Sequence, residues 1–596
     1  MRRHVVRGLG ALALLAALGL IAYRARTPAL PTRPVRAIHL EPTTGGAVLV
    51  GDGASTKLRA IEVDVPSLLS WPVDVPRGAK LETSLSFTRG RLRELESRSC
   101  RARVEAGGPE GRAVLLEREI RPGPGWETLV IDLSRLEGRK VELRLELACP
   151  GAPGVLPGAA RWSVPLLSAP PAEGEWNVLL VSIDTLRADH LSAYGYSRNT
   201  SPHIDTLARR GLVFDQAETV QSATWPALTS LHTALYPSAH GVVENGQSMP
   251  EGLPTLAELL RSRGFSTSAF ITNMTRGRHP GFSRLFLSRE GGQAGADRAA
   301  VGQAVAQLER ERERRFFMWV HLLSPHADYA PPAPHDAAFT RPGASSLRGE
   351  IAELAALRRR GTALSESDIA HVVGLYDGEV AFTDELVGRL LAALVANGLE
   401  KSTLVILTSD HGEDLHEHNR YFFHSPSVYA SSMRIPLILA LPGAPPARTP
   451  HPASLVDLAP TILGVLGFPI PSSLQGQNLL PGGSLPPRPV RQLVFGETGG
   501  RIFTVRTPEW RFVYNPEHLQ PEAPGGPYPI APAELYDEEK DPREAVNLAS
   551  SRPDLVRVFS EEALAFRNRT RRKDGMAPGP APEALEELRA LGYVGQ

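Results

Sequence analysis

From Asn177 onward the chain is punctuated by continuous apolar runs, and these constrain its fold more than any other feature. NVLLVSID, STSAFIT, RFFMWVHLL, STLVILTSD and RIPLILA carry bulky apolar side chains at mostly consecutive positions. A strand with one wet face alternates apolar and polar residues, so runs of this kind fit strands covered on both sides. Helix-like segments separate them, and that order predicts an α/β fold around a largely parallel sheet. In such sheets, ligands gather at the carboxyl ends of the strands. Two of the runs end in an acid: Asp184 closes NVLLVSID, and Asp410 closes STLVILTSD with His411 immediately after it.

An Asp at a strand end is more often a helix cap than a ligand. Two of them, one inside SDHGED, favour a metal, because carboxylates at one sheet edge make a pair of hard ligands and an adjacent imidazole adds a borderline one. Histidine supplies a second cue: His321 and His326 sit around the end of RFFMWVHLLSPH, and His411, His416, His418 and His424 cluster within DHGEDLHEHNRYFFH. A lone His is usually structural, whereas His clustered after buried strands favours ligation or acid/base work.

The 596 residues exceed what one hydrophobic core organises, so more than one domain is expected. Before the apolar runs, AIEVDV, WETLVIDLS and KVELRLELA alternate between Gly/Pro turns and predict a β-sandwich. GWETLVIDLSRLEGRKVELRLELA with ARWSVPLL is similar to jelly-roll modules that accompany carbohydrate-active and ester-cleaving enzymes. Trp71, Trp126 and Trp162 could stack on sugar, but core packing is the better reading. Near 339–370, SSLRGEIAELAALRRRG reads as a surface helix with its loops.

The start, MRRHVVRGLGALALLAALGLIAY, places Arg2, Arg3 and Arg7 before an apolar run, the pattern of an export signal. The run is shorter than a comfortable membrane span, and no good small-x-small cleavage site follows it. The expectation is an exported protein, periplasmic or in the cell envelope, either cleaved or left anchored in the membrane. Cys100 and Cys149 are the only cysteines, and in an exported chain they are compatible with one disulfide. Formal net charge is zero and no block of like charge stands out, so nothing points to nucleic acid.

NVLLVSIDTLRADHLSAYGY, followed by TSPHIDTLARRGLVF, resembles the opening of the sulfatase family of the alkaline phosphatase superfamily. FFMWVHLLSPHADYAPP, YDGEVAFTDELVGRLLAAL, TLVILTSDHGEDLHEH, RIPLIL, SLVDLAPTILGVLG and ELYDEEKDPREAVNLA continue the resemblance in order over roughly 176 to 560. It implies an alkaline-phosphatase/sulfatase-like α/β fold, with a mainly parallel sheet sandwiched by helices and a small C-terminal α+β subdomain behind the N-terminal all-β sandwich. The expected division is a signal or anchor at 1–26, a β-sandwich at 32–170, a catalytic core at 176–485, and a C-terminal subdomain and tail at 486–596.

By the same resemblance, Asp184, Asp410 and His411 match metal ligands for one divalent ion, with Ca²⁺ expected and Mn²⁺ or Zn²⁺ as alternatives. His326 matches a His that contacts the ester. His424 falls, within one residue, on the Lys or His that protonates the leaving oxygen, and His418 matches a recurrent His of no assigned role. The family nucleophile is a Cys or Ser two residues before a Pro, in a motif that ends at Thr-Gly-x-Tyr-Pro. TALYP fixes the register, which puts Pro226 on the motif proline and Thr224 on the nucleophile and metal-facing position. Ser222 is two residues out of register.

The family's Cys or Ser becomes formylglycine, an aldehyde that threonine cannot give because its Cβ carries a methyl. A metal-bound Thr alkoxide is still a competent nucleophile, and the superfamily uses it in phosphatases and phosphodiesterases. Thr185 stands where the family has a second Asp, Ala227 and Leu228 where it has Ser and Arg. Between Lys140 and Lys540 the only lysine is Lys401, so the anion-clamping lysines have no counterpart. Asn273, Arg276 and Arg278 in FITNMTRGRH are candidate substrate-binding replacements. Thr224 also reads as a helix N-cap, since Pro follows within the first turn.

The expectation is therefore a hydrolase of small or glycan-linked anionic esters that favours phosphate mono- or diesters or phosphoryl transfer. One alternative keeps sulfate esters of glycans or aryl alcohols as substrates. Another is a catalytically weakened glycan-binding protein.

Overall fold

The computed structural model describes residues 37–39, 48–51 and 56–571, apart from 77, 96, 109–110, 124, 153, 169–174, 251, 273–283, 289–291, 421 and 524–525. The N-terminal segment 1–26 and Asn273, Arg276 and Arg278 lie outside the described residues. Among the described residues no helix is long and apolar enough to cross a membrane.

The apolar runs become the central sheet. Its strands are β1 (Asn177–Ile183), β2 (Leu212–Glu218), β3 (Ser266–Thr272), β4 (Arg284–Ser288), β5 (Phe316–Leu322), β6 (Thr403–Ser409), β7 (Leu437–Ala440) and β8 (Ala447–Ser454), in spatial order β4-β3-β5-β1-β6-β7-β2-β8. β4, β3, β5, β1 and β6 run parallel, whereas β7 is antiparallel to both β6 and β2. Every residue of β1, β3, β5 and β6 is buried. The period of two is hidden inside the runs. Leu180, Trp319 and Ile406 face one core with Leu228 and Leu231 of helix α2 (Thr224–Thr233), behind α1 (Pro202–Arg210) in the chain. Leu179, Met318 and Val405 face the other, with Ala300 and Ala304 of α3 (Gly292–Arg310) and Val380 and Leu386 of α4 (Glu366–Ala396). At roughly 2 kcal/mol per fully buried aliphatic side chain, these two cores dominate the stabilisation of the region.

Before the central sheet, strands Ser67–Asp74, Lys140–Ala148, Cys100–Gly108 and Gly111–Ile120 form an antiparallel sheet facing a second layer that includes Thr56–Val65, Lys80–Phe87 and Leu156–Ser163. Alternate residues of Lys140–Ala148, from Val141 to Leu147, fill the core between them. Trp71 and Trp162 are buried in that core and Trp126 is half-buried, so the first two are packing residues and not a sugar platform. Cys100 and Cys149 are bonded. The second layer is continuous with the central sheet, because Thr56–Leu58 pairs antiparallel with Arg284–Phe286 of β4. The boundary near 170 thus separates two textures of sequence within one fifteen-stranded sheet.

Strands Val494–Thr498, Ile502–Arg506, Trp510–Tyr514 and Ala533–Asp537 make a four-stranded antiparallel sheet, covered by α5 (Pro553–Thr570) through Phe559, Ala563 and Phe566. Buried charges tie it to β2: Glu218 accepts from Arg506 at 2.9 Å and from Arg511, and Arg511 also reaches Glu538 at 2.7 Å. The segment read as a surface helix forms one at Ile351–Arg359, with Leu354 and Ala355 buried beneath it.

Candidate active site

Register alone brings the two strand-end acids together. Ile183 of β1 is level with Leu322 of β5 and with Ser409 of β6, so Asp184 and Asp410 leave adjacent strands at the same height, about 5 Å apart in the sheet direction. Both are fully buried, as is His411. One ligand atom from each of Asp184, Asp410 and His411 lies within 4.8 Å of the others. His411 Nδ1 lies 3.0 Å from the Gly412 carbonyl oxygen, which fixes the proton on Nδ1. Its Nε2 then presents a lone pair, 3.7 Å from Asp184 Oδ1 and 3.5 Å from Asp410 Oδ2.

The turns around these ligands are held from outside. Thr185 has φ +53°, a costly conformation for a β-branched residue. Its amide donates to Asp410 Oδ1 at 3.3 Å, and its carbonyl accepts from the Tyr376 hydroxyl on α4 at 2.8 Å. Next on α4, Asp377 accepts from Tyr196 and Arg198, each at 2.7 Å, and meets His190 at the same distance. At position 412 only glycine fits, since a Cβ there would lie 2.1 Å from the Ser431 carbonyl oxygen.

Thr224 is the first residue of α2, with Ala223 at the cap position. The capping expected of Thr224 is supplied elsewhere: the cap position is Ala223, whose side chain cannot accept, and Asn245 Oδ1 accepts from the Trp225 amide at 2.9 Å. The Thr224 hydroxyl instead lies 3.3 Å from His411 Nε2. Ser222 donates to the Ser427 carbonyl at 2.6 Å and is committed there. Ala227 and Leu228 are part of the apolar core, and Lys401 is exposed at the amino end of β6, away from the site.

His326 and His424 complete the cluster. The His424 ring centroid is 4.5 Å from that of His411 and 5.0 Å from that of His326. The turn carrying His326 is organised by Asp297 of α3, which accepts from the Leu323 amide at 3.1 Å and the Ser324 amide at 2.8 Å. His418 goes elsewhere: it stacks on Tyr429 at 3.8 Å and pairs with Glu544 at 3.7 Å, against the C-terminal region. Asn245, Tyr376, Asp297 and Glu413 escape a reading of the sequence. Glu413, 3.0 Å from His424 Nδ1, had a signal in its place within SDHGED. A lone Asp in the Ala-rich α3 gives none.

Charge in this dry space is divided unevenly. Burial opposes ionisation of Asp184, but His321, His326 and His411 outweigh it and hold the carboxyl below its ordinary range. Burial and the Asp184 charge push Asp410 well above its own. Burial drives Glu413 up to about 8 and keeps His326 low, and burial with His411 alongside keeps His424 far below an ordinary imidazole. Asp410 Oδ2 is buried without a hydrogen-bond partner among the described residues. Two buried carboxyls that repel each other, an orphaned carboxylate oxygen and a facing imidazole lone pair are a donor set that fits a divalent cation.

A protein-family profile described as Sulfatase matches residues 176–468. Arylsulfatase K of Bos taurus is 28% identical over 217 residues, which cover 34% of this chain and 38% of the bovine protein. A Delta 4,5-hexuronate-2-O-sulfatase of Bacteroides thetaiotaomicron is 24% identical over 454 residues, covering 68% of this chain and 91% of that protein. The phosphonate monoester hydrolase of Agrobacterium radiobacter superposes with a TM-score of 0.55 at 21% identity, over 66% of this chain and 96% of that one.

Proposed function

Because the chain belongs to the sulfatase family of the alkaline phosphatase superfamily, we propose that this sulfuric/phosphoric ester hydrolase uses Thr224 as its nucleophile and prefers phosphate mono- or diesters. The observation that carries the reading is the Thr224 hydroxyl, released from capping by Asn245 and placed 3.3 Å from His411 Nε2. A divalent cation held by Asp184, Asp410 and His411, with Thr224 Oγ1 as a further donor, would lower the hydroxyl pKa and offset the charge of the ester. Carboxylate and hydroxyl oxygens suit Ca²⁺, and the imidazole nitrogen admits Mn²⁺ or Zn²⁺.

In this reading Thr224 Oγ1, its proton released to solvent, bonds to phosphorus as the bond to the leaving oxygen breaks. His424 gives that oxygen a proton, and His326 hydrogen-bonds the ester group. Water then cleaves the phosphothreonine and restores the hydroxyl; an acceptor alcohol in its place would make the reaction a phosphoryl transfer. The amino end of α2 also favours an anion beside Thr224. We assign this chemistry to 176–485. Export, with 1–26 as signal or anchor, belongs to the same reading and is supported by the disulfide, since such bonds persist in oxidising compartments.

A second reading keeps sulfate as substrate, on a glycan, with Thr224 attacking sulfur; the sulfatases among the relatives favour it. Turnover of matched aryl phosphates and aryl sulfates with added Ca²⁺, Mn²⁺ or Zn²⁺ separates the two. Phosphate turnover is expected to dominate, to vanish with chelator, and to fall by roughly 10⁴-fold or more in Thr224→Ala. Sulfate turnover that survives Thr224→Ala, with phosphate untouched, rules out the threonine mechanism.

A further inference from the structure

Glu413 is fully buried two residues beyond His411 and lies outside the Asp184, Asp410 and His411 cluster. Its backbone is fixed, because Arg187 Nη1 donates to the Glu413 carbonyl at 2.9 Å. Its Oε1 is 3.0 Å from His424 Nδ1. On the other edge of that ring, His424 Nε2 is buried and has no hydrogen-bond partner among the described residues. The ring lies against His411 and His326, with Phe423 stacked at 4.7 Å. A buried carboxyl costs free energy unless it is hydrogen-bonded, and the partner 3.0 Å from Glu413 Oε1 is an imidazole that faces the metal-ligand cluster.

We propose that Glu413 is a positioning residue, which binds the Nδ1 edge of His424 and thereby holds the imidazole so that Nε2 delivers its proton to the leaving oxygen. The inference rests on the proposed role of His424 as leaving-group acid. Before transfer the pair holds two protons, one shared between Glu413 Oε1 and His424 Nδ1 and the other on Nε2. The Nε2 proton moves to the leaving oxygen as its bond to phosphorus breaks. The pair is left with the shared Nδ1 proton, as a carboxylate facing a neutral imidazole. A glutamine at 413 keeps the shape but cannot support this exchange. Its amide oxygen accepts from Nδ1 without a charge to stabilise the imidazolium, and its NH₂ can only donate to Nδ1 and leave a neutral, weakly acidic Nε2–H.

The test is the dependence of rate on leaving group, across aryl esters from 4-nitrophenol to phenol, in the phosphate or sulfate series that the full chain turns over. General acid catalysis contributes about 10²–10⁴-fold where the leaving oxygen needs a proton. Glu413→Gln is therefore expected to lose at least about 10²-fold in kcat on the phenyl ester, under tenfold on the 4-nitrophenyl ester, and to leave KM nearly unchanged. His424→Gln should show the same steepened dependence, and Glu413→Asp, which keeps the carboxylate, should restore part of the loss. An equal loss for every leaving group in Glu413→Gln assigns Glu413 a merely structural role and overturns the inference while the His424 reading stands. A flat response in His424→Gln overturns that reading and this inference with it. Divalent-ion affinity, set by Asp184, Asp410 and His411, reports whether each variant keeps the site, and Glu413→Asp carries the test if Glu413→Gln does not fold.

Discussion

At the scale of single residues, what decides the chemistry is where each polar group spends its hydrogen bonds. The nucleophile proposed, Thr224, is left for that role because Asn245 takes the Trp225 amide, whereas Ser222 is held by the Ser427 carbonyl. The strand-end acids were legible because an apolar run that stops at Asp is a local pattern. Thr224 was legible only through its register with TALYP, and the role proposed for it turns on a contact with His411, 187 residues away. Glu413 was hidden because its meaning depends on which loop atom folds back onto it. Glu497 shows the cost of a buried acid elsewhere. It accepts from the Ser238 amide at 2.8 Å and from the Ser238 hydroxyl, and burial pushes it up to about 7 from 4.5. A folded-state pKa raised in this way gives stability that is complete below about pH 4.5 and is lost as pH rises through about 7. Glu497→Gln keeps both hydrogen-bond partners and escapes that loss. Urea unfolding should therefore show the variant gaining on the parent between pH 5 and 8, by up to roughly 3 kcal/mol. A pH-independent difference would mean that Glu497 does not titrate in this window.

At the scale of elements, the strands were readable because sheet burial on both faces writes itself into consecutive positions, as in β1 and β6. The loops were readable only where composition forces geometry. Gly412 is such a place: the loop after β6 passes so close to Ser431 that no side chain fits, and the Gly412 amide donates to the Ser432 carbonyl at 2.8 Å. Gly412→Ala must push the loop away from its neighbour and displace His411 with it. Calorimetric titration with Mn²⁺ or Ca²⁺ is expected to show at least a tenfold loss of affinity, because geometry at a metal site is held to within a few tenths of an ångström. Unchanged affinity would place the metal off His411. The pairing of Thr56–Leu58 with β4 had no such local signal, because a strand's partner from a distant part of the chain is chosen by the rest of the fold.

At the scale of the molecule, the bond between Cys100 and Cys149 closes 49 residues inside the N-terminal sheets, and in the chain-entropy account a loop of that length contributes about 4 kcal/mol. Replacing both cysteines by alanine should lower the denaturant midpoint for the burial of Trp71 and Trp162, read by fluorescence, while metal affinity at Asp184 and Asp410 holds. Loss of both together would mean that the joined sheet transmits the damage. The same sheet has an order in time. β6, which Asp410 directly follows, inserts between β1 and β7 and pairs with β1 across more than two hundred intervening residues. Asp184 and Thr224 leave the ribosome long before Asp410 and His411, so no site exists until the chain beyond residue 411 has been made and threaded into place. On the proposed assignment, a ribosome-bound or truncated chain ending before β6 would hold only Asp184 and Thr224 of the ligand set, so metal binding and activity would both wait for the chain beyond His411.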